Sequence, residues 1–192
     1  VASLIVDGYS YDSVGVRYKG FSSASITRTK NPFNIKLNYL IQGQSHQGID
    51  KIKLSNIIQD PSFLREVLSY EIIRKYMPAS EANFANVYVN DSLIGLYSNV
   101  EAVNKEFLEK HFSSPDQVLV KGNPEEINLY GDNSNLSQSP GTDSMAYASF
   151  YSIKSDFGWS ALYNFIDTLN NFEQELAKHL NIDQALWMHA LN

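Results

Sequence analysis

The amino-acid sequence predicts an α+β fold, in which a mostly antiparallel N-terminal sheet with one packed helix is followed by a helical region. Three patterns predict this fold. Apolar and polar residues alternate along residues 33–39, residues 60–77 have helical periodicity with start and stop signals, and helical periodicity returns from residue 159 to residue 192. The 192 residues suffice for one domain, or for slightly more than one.

The composition excludes several classes of function. The chain has no cysteine, which excludes disulfides, thiolate metal sites and cysteine nucleophiles. No apolar run is long enough to cross a membrane, and the net charge of −6 argues against general nucleic-acid binding. The first 40 residues nevertheless hold five basic and two acidic side chains. This local positive charge predicts a small anionic ligand such as a phosphate, or, as the alternative, a solvated basic pair of strands.

The first 55 residues are predicted to form most of the sheet. Strands are expected at residues 2–6, 14–19, 33–39 and 51–55, with a turn at Asp7-Gly8 and a polar loop at 40–50. Successive side chains of a strand point to opposite faces, so Arg17 and Lys36 are expected to project from one face if their strands are neighbours. Between these strands lies a small-residue loop, Gly20–Ser25, and the backbone amides of such a loop can approach a phosphate.

The segment 60–77 is predicted to be one helix around which the rest of the chain is organised. Asp60 can cap its first turn, and Pro61 suits the first helical position. Apolar residues occupy two of its faces, which predicts packing on both sides. Glu66 and Glu71 fall within those faces, and a buried carboxylate is costly unless a cation pairs with it. The helix therefore predicts a partner Lys or Arg elsewhere in the chain.

The remaining chain is predicted to contain a hairpin, a long polar segment and several helices. The expected elements are strands at 85–89 and 93–100 around a turn at 90–92, a short helix at 104–112, a strand at 118–122, and helices at 160–169, 172–180 and 182–192. The predicted organisation is a sheet with its helix at 1–121, a long polar loop or insertion at 122–150, and the start of a helical region at 151–192. Because the helical pattern continues to the last residue, the native protein is expected to extend further.

Several catalytic motifs are absent from the sequence, and one charged arrangement remains. There is no Gly-x-Ser-x-Gly elbow, no His-Glu-x-x-His metal motif, no Walker A sequence and no Gly-x-Gly-x-x-Gly, and no metal site is predicted. Lys36, however, lies in a strand that precedes a helix carrying Glu66 or Glu71. Kinases pair a strand lysine with a helix glutamate to hold nucleotide phosphates. Ion pairs between strands and helices are also ordinary structural features, so both interpretations stay open.

Five stretches of the sequence carry a resemblance to one protein family. They are Val14–Ser23, Lys30–Leu37, Leu54–Asn56 with Asp60–Glu66, Val87–Asp91 with Gly95–Tyr97 and Glu101, and Val118–Gly122. Each is short, but together and in this order they resemble the motifs of the CotH family, the spore coat protein H-like atypical protein kinases. The resemblance covers about residues 2–122, and more loosely 151–192, so the chain looks like the N-terminal portion of such a kinase.

The resemblance implies a divergent protein-kinase-like fold. The implied activity is ATP-dependent phosphorylation of Ser or Thr hydroxyls on protein substrates such as spore coat proteins, with ATP and Mg²⁺ as cofactors. In the family, the catalytic Asp and the metal-binding Asp follow the helices with which this chain ends. Both are therefore expected beyond Asn192, and this chain alone is expected to be inactive. The alternative is a non-catalytic surface-attachment or structural coat module with the same fold. The implied location is the spore coat, the cell surface or the exterior of the cell.

The same resemblance implies roles for individual residues. Lys36 is expected to hold the nucleotide phosphates and Glu66 to orient it, with Lys30 and Glu71 as the second choices. The other residues expected near the nucleotide are Arg17, Ser22, Ser23 and Glu101. For Arg17, a salt bridge between structural layers is an equally open interpretation.

Overall fold

The computed structural model of the chain describes residues 1–20, 23–124 and 133–191. It divides into two compact units, Val1–Val103 and Asn104–Asn192. The first unit holds a sheet with one helix, and the second holds most of the helices, so the predicted α+β class is confirmed. Among the described residues, no helix combines the length and the apolar character that crossing a membrane requires.

The first unit is built on a six-stranded antiparallel sheet. Its strands are β1 (Ala2–Val6), β2 (Tyr9–Tyr18), β3 (Phe33–Lys36), β4 (Lys51–Ser55), β5 (Ala82–Val89) and β6 (Ser92–Val100), and helix α1 (Arg65–Ile73) follows β4 in the sequence. Across the sheet the order is β1-β2-β3-β4-β6-β5. The sequence therefore predicted the position of each of these strands, although β3 ends at Lys36 and not at residue 39. Residues 9–13, which the sequence pattern left outside the strands, extend β2.

The register of β2 against β3 decides which side chains share a face. Arg17 lies opposite Asn34, and Gly15 lies opposite Lys36. Because directly opposite residues point to the same side and residues two apart do as well, Arg17 and Lys36 share one face of the sheet. This prediction from the sequence is confirmed.

The other face of the sheet carries the apolar core of the first unit. Its buried members are Val14, Ile35, Leu37, Leu54 and Tyr97. Val14, Ile35 and Leu54 come from three neighbouring strands and alternate with polar residues along each of them. The sheet therefore has one apolar face that forms the core and one polar face that carries charged side chains.

Helix α1 begins later than the sequence predicted, at Arg65 and not at Pro61. Phe63 has a φ of 60°, a left-handed conformation that interrupts any helix starting before it. Asp60 still caps the helix, but from a turn: its carboxylate accepts the amide of Ser62 at 3.0 Å and the amide of Arg65 at 2.7 Å. The hydrogen bond from the Ser62 hydroxyl is the main reason why the pKa of Asp60 lies below its ordinary value.

The prediction that this helix is packed on both sides is wrong for the described chain. None of its residues is fully buried, and Leu64, Leu68 and Ile72 each keep 46% of their surface exposed. The helix contacts β5 and β6. A single sheet covers only one face of a helix, so the second apolar stripe stays open within the described residues.

The second unit combines helices with a short two-stranded antiparallel sheet. Its elements are α2 (Lys105–Phe112), β7 (Val120–Gly122), β8 (Tyr151–Ile153), α3 (Trp159–Asn171), α4 (Leu176–His179) and α5 (Ile182–Leu191). The side chain of Asn104 caps α2 by accepting the amide of Phe107 at 3.2 Å. The helix predicted at 172–180 is shorter than expected, since a 3₁₀ turn at Glu173–Glu175 precedes α4.

The second half of the predicted polar segment takes part in the core of the second unit. Tyr147, in a 3₁₀ turn at Ser144–Tyr147, is fully buried with Tyr151, Leu162 and Ile166. Residues 125–132 of this segment lie outside the described part of the chain. A polar composition thus did not prevent packing, because a few aromatic residues supply the buried surface. The structure divides the chain after Val103. The domain boundaries that the sequence predicted after residues 121 and 150 stay predictions.

Candidate functional site

A cluster of four polar side chains lies where helix α1 meets the polar face of the sheet. Lys19 follows β2, Ser55 ends β4, Glu66 lies in the first turn of α1, and Ser98 lies in β6. Ser55 and Ser98 are directly opposite each other across β4 and β6. Their hydroxyls therefore project side by side toward the helix, at the position where Glu66 reaches the sheet.

The carboxylate of Glu66 is held by both of these hydroxyls. Ser55 Oγ donates to Glu66 Oε1 at 3.3 Å, and Ser98 Oγ donates to Glu66 Oε2. Ser98 is fully buried, so its hydroxyl depends on a protein acceptor. Hydrogen bonds to a charged group are the stronger ones in proteins. The two serines therefore fix the carboxylate in one orientation.

Lys19 completes the cluster from the neighbouring part of the sheet. Its ammonium donates to Ser55 Oγ at 2.9 Å, so one hydroxyl accepts from the lysine and donates to the glutamate. Burial lowers the pKa of Lys19, and the negative charge of Glu66 offsets part of that effect by raising it. The result is a partly buried ammonium that is held near a carboxylate but keeps capacity for a further acceptor.

The pKa of Lys19 is expected to fall further when Glu66 is replaced by Gln. Burial already holds this pKa below 10.5, and removing Glu66 removes the attraction that opposes the effect of burial. Since the folded pKa lies below the unfolded one, the unfolded chain binds more protons between the two values. The free energy of unfolding therefore rises with pH between the folded and the unfolded pKa of Lys19. Glu66→Gln lowers the folded pKa and so extends this pH range at its lower end. NMR titration of the Lys19 Cε resonance measures the shift.

The matched control for this titration is Glu71→Gln, on the same helix. Glu71 is exposed and is not among the groups that influence Lys19. We expect this variant to leave the pKa of Lys19 at its wild-type value. An unchanged pKa in Glu66→Gln would contradict the proximity of the two charges.

Further cations lie on the same face of the sheet, and we call them the cationic face. Its members are Arg17, Lys36, Lys51 and Lys53, which join Lys19 around Asn34. Lys36 and Lys51 stand directly opposite each other. Like charges in this position destabilise a sheet. A bound anion would offset that repulsion, so the cationic face favours an anionic ligand.

An open pocket of about 270 Å³ adjoins the cluster. Its lining consists of Ser55, Ile57, Ile58, Gln59, Asp60, Arg65 and Glu66. Ser55 and Glu66 belong both to the pocket and to the cluster, so a ligand in the pocket reaches the cluster directly.

The structure separates the residues that the sequence singled out. No hydrogen bond or ion pair joins Lys36 to Glu66 within the described part of the chain; the lysine beside Glu66 is Lys19. Lys36 is exposed at the end of β3, and Glu71 is exposed on α1. Of the two glutamates, Glu66 is the one that faces the sheet.

The other predicted residues have different surroundings. The ammonium of Lys30 lies over the rings of Phe63 at 5.0 Å and Tyr97 at 5.1 Å, and burial lowers its pKa. Tyr97 belongs to the apolar face, so Lys30 contacts the side opposite Ser98. Glu101 Oε2 accepts the amide of Glu81 at 2.9 Å. This bond joins the residue before β5 to the residue after β6, at the open end of the hairpin.

The two serines that the sequence placed near the nucleotide, Ser22 and Ser23, differ in what the structure describes. The carbonyl of Ser23 accepts hydrogen bonds from Arg28 and Asn56. Ser22 lies outside the described residues.

Sequence reasoning missed three members of the cluster and two lysines of the cationic face, Lys51 and Lys53. Lys19 is two residues after Arg17, so strand alternation alone placed both on one face. Lys53 lies in the strand that directly precedes α1. Ser55 and Ser98 carried no signal of their own, because only the pairing of β4 with β6 brings them together.

The described residues include no cluster of His, Asp or Glu side chains that could hold a metal ion. The site therefore consists of a lysine, a carboxylate, two hydroxyls and the cations of the cationic face, of which Arg17 and Lys36 are exposed and Lys51 and Lys53 half-buried. Such a site can bind and orient an anion.

Kinases hold nucleotide phosphates with a strand lysine that pairs with a helix glutamate, and Lys19 beside Glu66 is similar to that arrangement. Comparison with known families gives the same class of protein: the family model described as CotH kinase protein matches residues 16–192. The chain belongs to the CotH kinase family, as its motifs predicted. No curated protein matches the chain.

Proposed function

We propose that this chain binds ATP through its triphosphate and forms part of a CotH-type kinase that phosphorylates Ser or Thr hydroxyls of protein substrates. The single observation that carries the proposal is the Lys19–Ser55–Glu66 contact, in which a helix carboxylate orients a partly buried ammonium. Membership of the CotH kinase family supports a phosphotransferase activity. A kinase-like fold, protein substrates, and a location in the spore coat or outside the cell are part of the same proposal.

Lys19 is the residue proposed to hold the phosphates most directly. Its ammonium has three donors, and Ser55 takes one of them. Glu66 keeps the ammonium in place without a direct hydrogen bond between the two groups in the described contacts. Arg17 and Lys36 lie further along the cationic face. They are proposed to contact phosphate oxygens at a greater distance from the helix.

ATP and Mg²⁺ fit this site to different degrees. The cationic face matches the negative charge of a triphosphate. The described residues form no carboxylate cluster for Mg²⁺, so the contribution of this chain is to bind and orient the phosphates. When bound, Mg²⁺ would neutralise charge that develops on the transferred phosphoryl group.

The proposal is tested by calorimetry of Mg²⁺-ATP binding to the wild-type chain and to Lys19→Met. The substitution removes a charge-assisted hydrogen bond, which is worth about 1.5–3 kcal/mol, and each 1.4 kcal/mol corresponds to about a tenfold change in Kd. We expect at least a tenfold weaker affinity. Lys36→Met is expected to lose less, because Lys36 lies further from Glu66 along the sheet face.

The control for charge alone is Lys178→Met. Lys178 is exposed in the second unit and pairs with Glu175. This variant is expected to bind like the wild type. Failure of the wild type to bind nucleotide would overturn the proposal and favour the non-catalytic surface or coat module. A larger loss in Lys36→Met than in Lys19→Met would make Lys36 the main phosphate ligand.

A further inference from the structure

Residues 23–31, between β2 and β3, form a loop that is held by two buried asparagines. Asn31 is 1% exposed and Asn56 is 4% exposed. Buried amides of this kind are expensive unless their donors and acceptors are satisfied. Both side chains direct their hydrogen bonds to the backbone of residues 23–31, so the shape of this loop is determined by polar contacts.

Asn31 shapes the loop from inside. Its Oδ1 accepts the amide of Ser25 at 2.8 Å, and its Nδ2 donates to the carbonyls of Ser25 at 2.9 Å and Arg28 at 2.6 Å. The carbonyl of Asn31 accepts the hydroxyl of the buried Tyr97 at 2.9 Å. The C-terminal end of the loop is thereby joined to β6.

Asn56 joins the loop to the sheet. Its Nδ2 donates to the carbonyl of Ser23 at 3.1 Å and to the carbonyl of Lys30 at 3.0 Å, so one amide group holds both ends of the loop. Asn56 directly follows Ser55, the residue that binds Lys19 and Glu66. The end of β4 therefore positions the ammonium of Lys19 and the loop together.

This attachment also orients backbone donors of the loop. In a trans peptide the carbonyl of one residue and the N–H of the next point in opposite directions, and the described chain has no cis peptide. Because the Ser23 carbonyl points to Asn56, the N–H of Ala24 points away from it. A backbone N–H presented in this way is a donor for a phosphate oxygen.

We propose that Asn56 is a positioning residue for the nucleotide, which holds residues 23–30 in the conformation that presents their backbone to the phosphates. This inference rests on the proposed function. Its structural basis is the pair of hydrogen bonds from one buried amide to the two ends of the loop.

The test is Asn56→Asp in the full chain. Aspartate has nearly the same shape but no donors, and its carboxylate repels the two carbonyls. We expect faster hydrogen exchange at the amides of residues 24–31, unchanged exchange in β4 and β6, and a Kd for Mg²⁺-ATP that is about 5- to 10-fold weaker. The control is Asn83→Asp on the exposed edge strand, where Asp can still accept from Asn99 Nδ2, as Asn83 Oδ1 does at 3.1 Å.

A neutral variant, Asn56→Ser, serves if Asn56→Asp does not fold, since it leaves room for water to donate to the carbonyls. If the Asn56 variants bound ATP as tightly as the wild type does, this inference would be overturned and the proposed function would stand. Absence of ATP binding in the wild type would overturn both. Loosened exchange throughout the sheet would also overturn the inference, because Asn56 would then support the fold in general.

Discussion

The Glu66→Ala variant is expected to lose about 2 kcal/mol of stability in the first unit, because hydrogen bonds to a charged group are worth about 1.5–3 kcal/mol each and the site is partly open to solvent. The substitution leaves the buried hydroxyl of Ser98 without its carboxylate acceptor. It also leaves the ammonium of Lys19 without the charge that offsets its burial. Both effects act on the folded state and are absent from the unfolded chain.

Glu71→Ala provides the matched comparison, with the same substitution on the same helix. Glu71 is exposed, so its removal is expected to change stability by less than about 0.5 kcal/mol. The two tryptophans, Trp159 and Trp187, both belong to the second unit, so the sheet itself contains no tryptophan. Native-state hydrogen exchange of the β4 and β6 amides is therefore the appropriate measurement. Equal effects of the two substitutions would show that Glu66 is an ordinary surface carboxylate.

The Tyr97→Ala variant is expected to destabilise the first unit by about 3–5 kcal/mol, the range for removing a large aromatic side chain from a core. Tyr97 is fully buried, and its ring lies 5.9 Å from that of Phe33. Its hydroxyl binds the carbonyl of Asn31, and burial is the main cause that raises its pKa to about 12. The truncation removes the ring from the core and leaves that carbonyl without its donor.

Tyr97→Phe separates the ring from the hydroxyl. Phenylalanine keeps the packing but loses the hydrogen bond to Asn31, so a loss of about 1–2 kcal/mol is expected. Tyr88→Ala, at a site that is 60% exposed in β5, is expected to have little effect. Hydrogen exchange of the β3 and β6 amides measures the change in the free energy of unfolding for each of the three variants. If Tyr97→Phe were as damaging as Tyr97→Ala, the hydroxyl contact and not the ring would dominate.

Local sequence patterns predicted the elements of the sheet because each depends on neighbouring residues. Period-two alternation located β4 at Lys51–Ser55, and the polar turn at Asn90 and Asp91 located the β5–β6 hairpin. Both turn residues have positive φ, which Asn and Asp tolerate better than most residues. The cap at Asn104 was predictable in the same way.

Helix α1 shows where local patterns were insufficient. Asp60 and Pro61 are good start signals, yet the left-handed conformation of Phe63 delays the helix to Arg65. The ring of Phe63 lies against the ammonium of Lys30, a residue far from it in sequence. Such a contact belongs to the tertiary structure, which the start signals of the local segment do not include.

The sequence by itself determined the class of fold, the family and the face that Arg17 and Lys36 share, since these follow from alternation and from motifs in order. Only the tertiary structure decided which lysine stands beside Glu66. That choice depends on the pairing of β4 with β6, which places Ser55 next to Ser98, and on the position of α1 across those strands. Strand order is a long-range property, so no local pattern distinguished Lys19 from Lys36 as the partner of the helix carboxylate.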